Sequence, residues 1–173
     1  MLLNQHLVRS QFPALSSEAI FFDNPGGTQI SRMVMDQMTA YLTKHNANHG
    51  GVFSTSIASD HILDEARAAC ADFVNADRPD EIVFGNNMTT LTLNMSRSIS
   101  RNWKPGDEII LTRLDHDANI TPWALAAEER DVKVNYLDFD PETGTLKLED
   151  LPGLLEHQPK LIAVGYASNA LGT

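Results

Sequence analysis

The chain has 173 residues, with 13 Lys and Arg against 23 Asp and Glu and a formal charge of −10, which argues against nucleic acid or an anionic membrane surface as partner, since both are bound through clustered positive charge. Hydrophobic residues at 42% and aromatics at 7% are globular composition rather than the apolar-poor signature of disorder, and a domain of this length buries roughly 70% of its unfolded surface without covalent staples. The one cysteine, Cys70, has no second thiol to pair with, which fits a reducing cytoplasm.

The N-terminal stretch Met1-Leu2-Leu3-Asn4-Gln5-His6 has neither a basic segment nor a continuous apolar run, so no secretory leader is expected. No run reaches the roughly 18 apolar residues of a membrane helix. With no repeat, low-complexity tract or Pro/Gly linker, the chain reads as one compact unit. A first helix is followed by a short strand, Ala19–Phe22, and by the turn cluster Asp23-Asn24-Pro25-Gly26-Gly27-Thr28. Helices are expected over 31–45, with Met35, Met38 and Leu42 on one stripe, and over 59–74, where Ile62, Leu63, Ala66, Ala69, Cys70 and Phe73 recur at three- and four-residue spacing. Cys70 falls on that stripe and reads as core.

From Glu81 the pattern alternates short apolar runs with longer amphipathic segments. Strands are expected over 81–84, 108–112, 132–137 and 161–167, and helices over 89–101, 120–130 and 148–157. Crossover helices of this length imply an α/β fold, a three-layer αβα sandwich with a mostly parallel sheet. Ligands of such sheets sit outside the carboxyl ends of the strands, which nominates the loops 85–89, 113–119, 138–145 and 168–173.

In the first loop, Gly85-Asn86-Asn87-Met88-Thr89-Thr90 turns a strand into a helix start. Free N–H groups and the helix dipole could hold a phosphate there, or the loop is a plain turn with Thr89 as helix cap; there is no Walker lysine and no G-x-G-x-x-G. In the second, Asp115-His116-Asp117-Ala118-Asn119, His116 could be a general acid/base, a metal ligand or a flat face for a cofactor ring, or the loop is solvated with Asp117 or Asn119 capping the next helix. In the third, Asn169 either aims an amide into the crevice or simply turns the chain. His45 and His49, four apart, could share a metal on a helix, but no HExxH glutamate accompanies them and Gly50-Gly51 signals a helix end; no metal is expected.

Taken together, Phe22-Asp23-Asn24-Pro25-Gly26-Gly27-Thr28, Asn46-Ala47-Asn48-His49-Gly50-Gly51, Asp80-Glu81-Ile82-Val83-Phe84, Gly106-Asp107-Glu108-Ile109-Ile110, Asp115-His116-Asp117-Ala118-Asn119 with Pro122-Trp123, and Ser168-Asn169-Ala170-Leu171-Gly172-Thr173 resemble, in order and spacing, the N-terminal part of the class V aminotransferase and cysteine desulfurase family, of fold type I pyridoxal phosphate (PLP) architecture. The resemblance implies that Met88 and Thr89 cradle the cofactor phosphate, that the catalytic-site His116 stacks on the pyridine ring, that Asn169 bonds the ring's 3-hydroxyl, and that Gly26, Gly27 and His49 line the substrate side. It implies a segment 1–50 on the substrate side, a PLP-binding portion 51–173, an amino-acid substrate, cysteine or a relative, a homodimer and a cytoplasmic setting. The family's usual Gly-Thr-Thr-Glu is Asn87-Met88-Thr89-Thr90 here, and its His-Arg-Gly is His49-Gly50-Gly51, which marks a divergent branch.

In that family the Schiff-base lysine, the aspartate facing the pyridinium nitrogen, the substrate-binding arginine and the persulfide-forming cysteine all follow the Asn-x-Leu-Gly-Thr segment. Lys44, Lys104, Lys133, Lys147 and Lys160 match no Schiff-base motif, so no turnover is expected of these residues alone. The family topology also leaves the strand 81–84 without its partner. Two other readings remain: a non-catalytic domain that binds a phosphorylated small molecule or mediates dimer formation, and a metal-dependent hydrolase using His45, His49, His116 and Asp117.

Overall fold

A computed structural model of the protein describes residues 3–173; Met1 and Leu2, which begin both the stretch read for a leader and the segment 1–50, lie outside the described residues. The chain divides into two compact units, residues 1–84 and 85–173. No helix among the described residues is long and apolar enough to cross a membrane.

The first unit is helical. Helix α1 (Gln5–Ser10) is opened by Asn4, whose side chain accepts from the Leu7 N–H. Helix α2 (Arg32–Lys44) is opened by Ser31, and helix α3 spans Ser54–Val74. The start of α3 lies five residues before the expected one, because Ser54-Thr55-Ser56 carry no apolar stripe for periodicity to register. The helix ends on Asn75 in the left-handed region, φ 56°, with Ala76 donating to the Ala71 carbonyl at 2.9 Å, so Asn does the work glycine usually does at a helix end. The expected strand Ala19–Phe22 does not form: the segment is irregular. Glu81 closes a 3-10 turn, and Ile82–Phe84 joins no ladder among the described residues. Four apolar residues become a strand only when a partner satisfies their backbone.

The second unit is built on a parallel sheet. Helix α4 (Met88–Ile99) precedes strand β1 (Glu108–Thr112), followed by helix α5 (Thr121–Glu128) and strand β2 (Lys133–Leu137). A hairpin of β3 (Phe139–Asp140) and β4 (Thr145–Leu146) follows, then helix α6 (Leu151–Leu155) and strand β5 (Leu161–Ile162). The parallel order is β2-β1-β5, with Ile109 opposite Val134 and Leu161. This is the α/β class that the alternation predicts, here as an incomplete α/β fold.

Central position explains the composition of β1. Ile109, Ile110 and Leu111 are all 0% exposed, and a strand covered on both faces reads as a continuous apolar run. Ile109 and Leu111 share one face with Trp103, Trp123, Ala126, Ala127, Val132 and Ala163 in the core cluster. The small residues Ala126 and Ala127 let α5 approach closely. α4 packs in turn on α5.

The second unit departs from the sequence expectation at three further places. The helix 148–157 is a 3-10 turn (Leu148–Asp150) followed by the short α6, because Pro152 favours a helix start and Gly153 weakens its interior. The strand 161–167 pairs only at Leu161–Ile162, with Ala163 still donating to Ile110 at 2.9 Å. The loop 138–145 contains β3 and the first residue of β4, closed by Gly144 at φ 67°, which donates to Asp140 at 2.8 Å.

At the amino end of the sheet, the Asn135 amide beside Glu108 holds its carboxyl below the usual carboxylate range, helped by Lys133 and His157 and opposed by desolvation. A depressed folded value adds stability that is complete above the unfolded pKa and fades as pH falls through the folded one. Asn135→Val is expected to make the acid-side fall of Tm shallower while leaving neutral-pH unfolding two-state. Leu111→Ala is expected to lower stability by about 2–5 kcal/mol, read as a shifted urea midpoint at unchanged slope.

Candidate functional site

In the first unit, Asp23 accepts from the Gly26 N–H at 3.3 Å, shaping the Gly26-Gly27 turn; both glycines are exposed. His49 is exposed and lies beyond the end of α2, so His45 and His49 do not share a helix face. Among the described residues no group of three or more His, Cys, Asp or Glu stands in metal-holding geometry. The loop that carries His49 is fastened to α3 by side chains that sequence reasoning passed over. The buried Ser56 hydroxyl donates to the Asn48 carbonyl at 2.6 Å and accepts from the Gly51 N–H at 2.8 Å. Ser59 donates to the His45 carbonyl at 2.6 Å, and both Asp60 oxygens lie 3.1 Å from the Gly50 nitrogen. The visible sequence signal was a hydroxyl and carboxylate run, Ser54, Ser56, Ser59 and Asp60, at the start of a helix that follows a Gly-Gly turn.

In the second unit, α4 opens with Asn87 as cap, its side chain accepting from the Thr90 N–H at 2.9 Å. The expectation that Thr89 would be the cap is therefore corrected: Asn87 stands one residue before the helix, where a side-chain oxygen can turn back to the third N–H. Met88 and Thr89 form the first turn, so their N–H groups have no intrahelical acceptor, and both residues are exposed.

His116 follows the carboxyl end of β1 and is exposed. Its Nδ1 accepts from the Ala118 N–H at 3.0 Å, capping the 3-10 turn Asp117–Asn119. In neutral imidazole the proton then sits on Nε2. α4 packs against this same 3-10 turn, so the phosphate candidate and the ring-stacking candidate belong to neighbouring elements. Neither Asp117 nor Asn119 caps the α5 backbone. Asp117 takes the Thr121 hydroxyl at 2.6 Å, and Asn119 takes the Trp123 indole N–H at 3.2 Å.

Asp115 is the residue that sequence reading left without a role of its own. Its Oδ2 accepts from the Thr112 hydroxyl at 2.9 Å, the Gly165 N–H at 2.8 Å and the Asn119 amide at 3.3 Å. A Cβ at Gly165 would collide with Asp115 Oδ1, so any side chain there must displace the carboxylate from its present place. Asn169 is exposed in a turn in which the Ser168 hydroxyl accepts from the Leu171 N–H at 3.2 Å and the Ser168 carbonyl from the Gly172 N–H at 2.9 Å. A hollow of about 260 Å³ opens between the ends of β1 and β5 and the hairpin, with Asp115, Tyr166, Ser168 and Thr173 in its wall. Met88, Thr89, His116 and Asn169 are not in that wall; His116 and Asn169 adjoin wall residues Asp115 and Ser168 in sequence only.

Compared with known proteins, residues 20–173 match the family model of aminotransferase class-V. The chain is 37% identical over 171 residues to the aminotransferase-like protein FGM3 of Gibberella zeae, covering 96% of this chain and 42% of that protein. Its structure is similar to that of an apo cysteine desulfurase from Thermococcus onnurineus NA1, with TM-score 0.90 and 31% identity over 99% of this chain and 42% of that one. It is also similar, with TM-score 0.60 and 26% identity over 76% of this chain and 33% of that one, to a C-DES variant with glycine covalently linked to its PLP cofactor. The chain thus spans about 42% of the length of the curated relative.

Ser56→Ala is expected to remove the buried hydroxyl that pairs with both the Asn48 carbonyl and the Gly51 N–H, two hydrogen bonds that together are worth about 1–3 kcal/mol. Hydrogen exchange checks it: the Gly51 amide should lose protection while amides in the middle of α3 keep theirs.

Proposed function

The chain belongs to the aminotransferase class-V family, and we propose that it forms the N-terminal, cofactor-binding portion of a PLP-dependent enzyme of the cysteine desulfurase kind, acting on an amino acid, cysteine or a relative. In this reading residues 1–50 serve the substrate side and 51–173 the cofactor side, with Gly26, Gly27 and His49 toward the amino acid, and the complete enzyme is a cytoplasmic homodimer.

The observation that carries the reading is that α4, whose first turn holds Met88 and Thr89, packs against the 3-10 turn that His116 caps. The N–H groups of Met88 and Thr89, free of intrahelical acceptors, and the Thr89 hydroxyl are donors suited to a phosphate, and the helix start adds its positive dipole end. His116 is held by its Nδ1 bond, which leaves a planar face for stacking on a pyridine ring. Asn169 would donate its amide to the ring's 3-hydroxyl oxygen. When bound, PLP supplies an electron sink for carbanion chemistry at the amino-acid carbon.

Two of the five lysines bear on a further part of the reading, that these 173 residues alone have no turnover. Lys133 begins β2 and Lys160 precedes β5, where they pair with Glu108 and Asp107. Both stand at the amino ends of the strands, away from the loops that follow the carboxyl ends.

Titration with PLP, followed by chemical shifts of the Met88 and Thr89 amides and the His116 ring, tests the proposal. Response at all three supports it. Response at Met88 and Thr89 alone, equal for inorganic phosphate, favours a plain phosphate-binding domain. Thr89→Ala is expected to weaken PLP binding by about tenfold or more, the worth of one hydrogen bond to a charged acceptor, about 1.5–3 kcal/mol. Sulfide release from cysteine by the 173 residues with PLP alone would overturn the inactivity.

A further inference from the structure

The two carboxylates that flank His116 are used differently. Asp117 is exposed and takes only the Thr121 hydroxyl. Asp115 is half-buried, and three donors from three places in the chain converge on its Oδ2: the hydroxyl of Thr112 at the end of β1, the amide of Asn119 within the loop, and the N–H of Gly165 beyond β5. Such convergence suits an anion, which is acceptor-only and takes charge-assisted bonds.

The frame continues inward. Asn119, while donating to Asp115, accepts from the indole N–H of Trp123, a core residue only 6% exposed. An indole buried that deeply needs an acceptor, and filling that need ties the loop to the core. His116 sits inside this frame, directly after Asp115 and two residues before the buried Ala118, whose N–H it accepts. Asp115 makes no hydrogen bond to the His116 ring, so the pair is not an acid–base dyad. Its influence on the ring passes through the backbone it fixes.

We propose that Asp115 is a positioning residue: by tying the end of β1, the loop and the turn after β5 through one carboxylate oxygen, it sets the orientation of the His116 imidazole that the cofactor reading assigns to stacking. Gly165 is the other half of the device, because only a residue without a side chain admits the carboxylate at that distance. The inference rests on the cofactor reading for its purpose, but its geometry can be tested without any cofactor.

The experiment is ring 15N spectroscopy of His116 in the 173-residue chain. In the parent, the two ring nitrogens should report a single Nε2–H tautomer. In Asp115→Ala they should move toward one another and the Gly165 amide should shift, while the Lys133 and Ala163 amides, bonded to the Asp107 and Ile110 carbonyls, stay protected. Asp115→Asn should restore most of the parent pattern, because its amide oxygen can stand where Oδ2 does. Unchanged His116 signals in folded Asp115→Ala overturn the proposal, as does an Asn variant that behaves like Ala. If Asp115→Ala does not fold, Gly165→Ala decides: it displaces the carboxylate without removing its charge, and unmoved His116 signals there overturn the proposal equally. Absence of any PLP response at Met88 and Thr89 in the parent sinks the cofactor reading alone, and the His116 comparison still decides this one.

Discussion

Three consecutive residues of β1, Ile109, Ile110 and Leu111, lose all of their solvent exposure, and a strand achieves that only with a sheet neighbour on each edge and packed cover on both faces. Much of the second unit follows from this requirement. Parallel neighbours on both sides demand crossovers, the crossover α5 supplies the cover for Ile109 and Leu111, and parallel alignment brings the carboxyl ends of the strands to one rim. The apolar run stops at Thr112, which is itself buried but donates its hydroxyl to Asp115. Burial thus hands over to hydrogen bonding at the residue where the strand ends and the candidate site begins.

The first unit is held by a different balance. Ala71 is its one buried hydrophobic residue among those described, whereas Phe22, Phe73 and Val83 are 95%, 90% and 76% exposed. Its local order comes from helix caps and from the ties of Ser56, Ser59 and Asp60 to the loop before α3. Directional bonds of this kind specify geometry, but each adds only about 1 kcal/mol net, far less than a packed apolar core contributes.

Legibility in the sequence tracks how local each cause is. α2 is found within one residue at each end, and β1 at its full extent, because amphipathic period and an apolar run are properties of the segment itself. Ala19–Phe22 and Glu81–Phe84 have the composition of strands, yet no partner pairs with them among the described residues, and composition carries no information about a partner. The hairpin β3–β4 escaped because its strands are two residues each, too short for any alternation. A general rule about loops after strands nominated the loops that carry Met88, Thr89 and His116, and the family resemblance suggested what those residues do there. Asp115 was visible only as a neighbour of His116, since the donor that defines it, the Gly165 N–H, lies 50 residues away in the chain.

The contact between Gly165 and Asp115 also constrains the order in which this part of the chain can change. A side chain gained at position 165 while the carboxylate is in place meets it head-on, whereas shortening position 115 first vacates the space that a later methyl group fills. Of the two routes to a paired replacement, one passes through a steric collision and the other through a vacancy with unanswered donors, so the history of either position is readable only together with the other.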